Sequence, residues 1–196
     1  MEHLVRDLAH RTRVYYLKEE GMAAFKVTVT LHARMVEKWI RGVKRDFLDA
    51  ATTKCVRLDC EFTDLRKAVP QVLKDFLEDG NIRFCDAAIG NDVKKLRLDD
   101  IHITSTYDLQ KVVPNPTTKP TPSLYDLANH TVGTNLEQKK KYNHKKMMDV
   151  ATQEKEDELI FGWANYPLSY EQAHYSALDT HVGFDIARKH CILVGY

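Results

Sequence analysis

From Cys55 to Phe62 the chain alternates: Val56, Leu58, Cys60 and Phe62 are apolar, while Arg57, Asp59 and Glu61 are polar. A period of two predicts a strand over residues 55–62 with one buried face. It also sets Asp59 and Glu61 on the same face, their Cα atoms about 6.5 Å apart. Two carboxylates so placed repel unless a cation lies between them or one keeps its proton. A wetted, charged outer face is the plain alternative. Upstream, residues 14–17 and 25–30 are rich in Val, Tyr and Thr and read as β segments around a turn at 18–21. Leu31, Met35, Trp39, Val43 and Phe47 recur every four positions, which predicts a helix from a Thr30 cap to about Leu48.

Downstream, Pro70 opens a helix over 69–78 whose apolar face is Val72, Leu73, Phe76 and Leu77, and Gly80 stops it. Residues 82–89 predict a strand, 90–92 a turn, 93–98 a short helix and 101–109 another strand. Residues 114–122 hold four of the six prolines and read as an extended surface connection. Ser123 caps a helix over 124–132. Ser169 and Gln172 form a capping-box pattern before a helix from about Tyr170 to Lys189.

Composition narrows the picture. At 196 residues the chain is most economically a polar leader (1–13) and one domain (14–196), long enough to bury a core. The 29 Lys and Arg nearly balance 28 Asp and Glu, so any electrostatic footprint for nucleic acid must be local. One such patch exists: Lys139, Lys140, Lys141, Lys145 and Lys146, interleaved with Tyr142 and His144. It reads either as a solvated loop or as a track for phosphates with Tyr142 stacking on a base, and the acidic stretch at 154–158 offsets its field. Residues 1–13 contain no apolar segment of a secretory signal, and no run matches a membrane span. Four cysteines without a CxxC spacing predict reduced, packed thiols and a cytosolic or nuclear setting. Nine histidines show no zinc-ligand spacing.

Tyr175 and Asp179 stand four apart on the last helix and share a face. Asp92 follows a strand near a helix start, where capping alone would explain it. Taken together and in order, Asp59, Glu61, Asp92, Tyr175 and Asp179 resemble the acid set of the DEDD, or DnaQ-like, 3′-to-5′ exonucleases, tyrosine branch. "VRLDCEF" is similar to that family's first motif, "FCDAAIGNDVKKL" to its second and "LSYEQAHYSALDTHVGFDIARK" to its third. "SLYDLANHTVG" and "WANYPLS" resemble stretches of Werner-type exonuclease domains, and the plant RISC-interacting clearing exoribonucleases are the most similar group. The resemblance covers about residues 14–190.

It implies an α/β, ribonuclease H-like mixed sheet flanked by helices, and a two-metal site for Mg²⁺ or Mn²⁺ held by Asp59, Glu61, Asp92 and Asp179. Hard ions of this kind prefer carboxylate oxygens. Asp59 would bridge both ions, Glu61 and Asp179 would ligate one and Asp92 the other, with the Tyr175 hydroxyl orienting the attacking water. The clearing-exoribonuclease likeness implies single-stranded RNA 3′ ends, an Argonaute partner and a homo-oligomeric ring. The Werner-type likeness allows DNA.

One departure stands out. The family follows its first-motif strand with two more, which need roughly 15 residues. Here only the six residues 63–68 separate Phe62 from the next helix. The sheet therefore lacks two strands, and the motif strand is expected at an edge. A catalytically impaired interaction or oligomerisation module on the same fold is the alternative this shortening raises.

Overall fold

The computed structural model describes residues 5–6, 12–18, 24–61, 69–134, 163 and 168–193. It is an α/β structure with two small sheets. The first is antiparallel: β1 (Val5–Arg6) pairs with β2 (Thr12–Leu17), which pairs with β3 (Phe25–Thr30). The register runs from Thr12 opposite Thr30 to Leu17 opposite Phe25. Both strands are built of β-branched and aromatic residues that favour the pleat. The second sheet is parallel, in the order β4 (Cys55–Arg57), β5 (Arg83–Asp86), β6 (Thr106–Asp108).

Helices cover both faces of the parallel sheet, as parallel strands require. On one face α1 (Ala33–Val43), continued by a π-helical turn at Lys44–Leu48, and α2 (Gln71–Glu78) pack Ile40, Leu48, Phe76 and Leu77 against Phe84 and Ile89. The next residue of β5, Cys85, points to the other face. There it meets Leu109 of α4 (Leu109–Val112), Leu127 of α5 (Leu124–Thr131) and Ile186 of α6 (Tyr170–Leu193). A third cluster seats Tyr15 and Leu17 on Ala173 and joins the antiparallel sheet to the first half of α6. No helix among the described residues is long and apolar enough to cross a membrane. The four cysteines are free.

Several expectations are corrected. The strand expected over 55–62 ends at Arg57; one further ladder bond, Leu58 N–H to Cys85 O (3.1 Å), closes it. Leu58, Asp59, Cys60 and Glu61 are not in a strand, so no strand face aligns Asp59 with Glu61. The turn expected at 90–92 is helical: α3 runs Ile89–Arg97 and carries Asp92 in its first turn. Its start is set by Ala88, which holds a left-handed φ of 66°, while the Ala88 N–H donates to Asp108 Oδ1 (3.1 Å). The first helix begins at Ala33, after a His32 N–H that donates to the Thr30 hydroxyl (3.1 Å). Residues 62–68, which bear on the missing strands, and the 139–146 lysine patch lie outside the described residues. Among the described residues β4 ends its sheet.

Candidate active site

In open α/β sheets, ligands sit beyond the carboxyl ends of the strands. The parallel sheet puts its acids there. Asp59 lies two residues past the end of β4, Asp86 is the last residue of β5, and Asp92 is in the first turn of α3. One carboxylate oxygen from each falls within 4.8 Å of the others. Asp59 and Asp92 were expected at the site. Asp86 was not singled out, although it lies inside the second motif.

The second unforeseen residue is Arg57. Its side chain is 3% exposed. Nη2 donates to Asp86 Oδ1 at 2.6 Å, and Asp86 Oδ1 also accepts the Ala87 N–H at 2.5 Å. Nη1 lies 3.3 Å from Asp59 Oδ2. That is an ion-pair contact without hydrogen-bond geometry, since Nη1 and Nε have no hydrogen-bond partner among the described residues. The guanidinium is held down by α6: a Cβ on Gly183 would stand 2.3 Å from Arg57 Cδ and Nε. Only glycine leaves room for the arginine here.

Burial and like charges leave their mark on the acids. Burial pushes the Asp86 carboxyl up to about 7; Arg57 opposes this and Asp59 adds to it. Asp92 is likewise raised by burial first and by Asp59 second. The Cys60 thiol beside them is pushed up to about 12 by burial and by Asp92 and Asp59.

The other expected residues are placed differently. Asp179, buried on α6, accepts a hydrogen bond from the Tyr125 hydroxyl (2.7 Å). Burial and this bond hold the Tyr125 proton above its usual range. Asp179 lies one helical turn before Gly183, the residue against Arg57, but outside the 4.8 Å group. Glu61 is exposed and also outside it. The Tyr175 ring sits 6.2 Å from that of Trp163.

If all three are ionised, Asp59, Asp86 and Asp92 carry three negative charges, against which Arg57 supplies one positive charge in direct contact with two of them and Lys95 a second that acts on Asp92. An all-oxygen donor set with such an excess suits a hard divalent cation better than a soft one.

No family model and no curated protein matches the sequence. Among solved structures the chain is similar to an EXD2 exonuclease domain. The form soaked in Mn and GMP aligns with 17% identity over 81% of this chain and 84% of that one, with a TM-score of 0.34. The form soaked in Mn and Mg gives 20% identity over 83% and 85%, TM-score 0.34. The domain described without a soak gives 18% identity over 78% and 80%, TM-score 0.34.

Proposed function

We propose that the chain is a divalent-metal-dependent exonuclease that removes nucleotides from the 3′ end of single-stranded nucleic acid, with RNA the favoured substrate. The observation that carries this reading is the convergence of Asp59, Asp86 and Asp92 within 4.8 Å at the carboxyl end of the parallel sheet. The 3′ polarity and the RNA preference rest on the ordered motifs and their resemblance.

Mg²⁺ or Mn²⁺ would be held by Asp59, Asp86 and Asp92. When bound, such an ion neutralises charge building on the phosphate and makes a coordinated water more acidic. The chain's own residues supply the rest. Arg57 fixes the Asp86 carboxylate and, through Asp59, ties two acids into one unit. Tyr125 fixes the Asp179 oxygen that accepts its proton. In this reading Glu61 and Asp179 serve a second ion, Tyr175 orients the attacking water, and the lysines at 139–146 track the phosphates of the incoming strand.

The test uses one RNA and one DNA oligonucleotide of the same sequence, labelled at the 5′ end, with Mg²⁺, Mn²⁺ or chelator. The expected result is a ladder shortening by single nucleotides from the 3′ end, faster on RNA, absent with chelator, and reduced at least about 100-fold in Asp59→Ala. Internal cleavage, chelator-resistant cleavage, or equal rates in Asp59→Ala overturn the reading.

A further inference from the structure

Strands β3 and β4 each end a sheet, so each has one edge without a strand partner among the described residues. Both edges open on the same cleft, a cavity of about 830 Å³. Residues 25–29 of β3 and all three residues of β4 line it. Successive residues of a strand point to opposite faces. A strand that presents every residue to a cavity is therefore presenting its edge, with its row of N–H and C=O groups.

The surroundings are those of an interface. Trp39, Phe47, Phe184 and Ile192 line the cleft and are 48%, 72%, 37% and 71% exposed. Four of the seven large apolar side chains exposed among the described residues thus gather at one place, where isolated ones would need no explanation. Among the described residues the charged lining is of one sign: Lys26, Arg57 and Arg188, with His181 and no carboxylate. Arg57 is taken up by Asp86 and Asp59. Asp185, behind the lining, lies 3.4 Å from both His181 and Arg188 and offsets part of their charge. Among the described residues Lys26, with the part of the Arg188 charge that Asp185 does not offset, leaves the rim cationic.

We propose that this cleft binds an extended peptide segment of a partner protein, alternating apolar and acidic residues, which pairs by its backbone with the free edges of β3 and β4. The dimensions agree. A strand occupies about 4.8 Å between neighbours and about 10 Å between layers, so 830 Å³ holds roughly 17 Å of strand, or about five residues at 3.3 Å each. That is close to the six-residue length of β3. Neither a lipid nor a nucleic-acid strand offers alternating N–H and C=O groups at this spacing, and such backbone pairing gives affinity while alternate side-chain pockets give specificity. The inference is independent of the nuclease reading.

The probes are two fluorescein-labelled octapeptides, one alternating valine with glutamate and one alternating valine with lysine, titrated with the full chain by fluorescence anisotropy. The glutamate peptide is expected to bind at least tenfold more tightly than the lysine peptide. Lys26→Glu with Arg188→Glu, both at exposed positions, should reverse the order while the circular-dichroism spectrum and melting temperature stay near those of wild type. Amide hydrogen exchange should slow at residues 25–29 and 55–57 when the glutamate peptide is added. The proposal is overturned by equal binding of the two peptides, by no binding, by protection confined to other segments, or by displacement of the peptide with a single-stranded oligonucleotide. A concentration-dependent dimer whose interface protects those same edges overturns it too, in favour of a second copy as occupant.

Discussion

Arg57 holds a full charge at a position 3% exposed, where removing its partner would leave an uncompensated buried ion. Asp86 is that partner, and its own carboxyl sits near 7 because burial opposes ionisation more than Arg57 favours it. The sign of the resulting pH dependence follows. A carboxyl raised from about 3.9 in the unfolded chain to near 7 when folded binds more protons in the folded state between those values. Stability from this group is therefore full below about pH 4 and is lost as pH rises to 7, by about 4 kcal/mol for three pH units. Asp92, also raised, acts in the same direction. Urea unfolding of metal-free protein should show this as a difference between wild type and Asp86→Asn. The variant keeps an oxygen acceptor for Arg57 but has no proton to lose, so its stability relative to wild type should climb between pH 4 and pH 7. A difference that stays flat across that range would assign the shift to some other group. Nothing in the sequence near Asp86 announces this behaviour: a lone carboxylate in an apolar strand reads as a broken pattern, and its arginine lies 29 residues away.

At the scale of elements, α6 decides whether the site can form, because Arg57 lies against its Gly183. Exchanging a helix-interior glycine for alanine ordinarily stabilises by up to about 1 kcal/mol. Gly42 in α1, where an added Cβ meets nothing within 4 Å, should behave so and raise the melting temperature in Gly42→Ala. Gly183→Ala should do the opposite. Its Cβ would stand 2.3 Å from the middle of a buried, doubly paired side chain, which cannot swing into solvent, and overpacking of this kind costs about 1–3 kcal/mol. Equal melting shifts in the two variants would mean that Arg57 is free to move. The elements themselves were unequally legible. Ser123 as a cap, and Ser169 with Gln172 as a capping box, signal helix starts, and both form; the structure adds Asp126 as the partner that completes a second box at Ser123. The alternation at 55–62 misled because an end strand persists only as far as its partner. β5 stops at Asp86 and turns into α3, so β4 stops beside it. The glycine and asparagine before Asp92 looked like a turn, yet the turn is made earlier, by Ala88 in a left-handed conformation that its residue type does not advertise.

For the molecule as a whole, charge is nearly balanced at +1, while the carboxyl end of the parallel sheet concentrates three carboxylates around one guanidinium. The fold holds these like charges together by packing helices on both faces of the sheet, and a bound cation would relieve their repulsion. A ligand that binds only the folded state stabilises it by about 2.7 kcal/mol at a hundred times its dissociation constant. For a chain of this size that corresponds to a rise in melting temperature of roughly 5–11 °C. Protons compete for the same oxygens. With Asp86 near 7 and Asp92 shifted in the same direction, Asp86 is mostly ionised at pH 8 and mostly protonated at pH 5, so saturating Mg²⁺ should raise the melting temperature markedly at pH 8 and little at pH 5. Asp59→Ala should lose the pH 8 increment, because it removes one of the three donors. Thermal denaturation of wild type and Asp59→Ala, each with Mg²⁺ or chelator at the two pH values, checks all of this without reference to catalysis. An increment of equal size at pH 5 and pH 8, or one that survives in Asp59→Ala, would move the cation away from the trio and leave the acids paired through Arg57 alone.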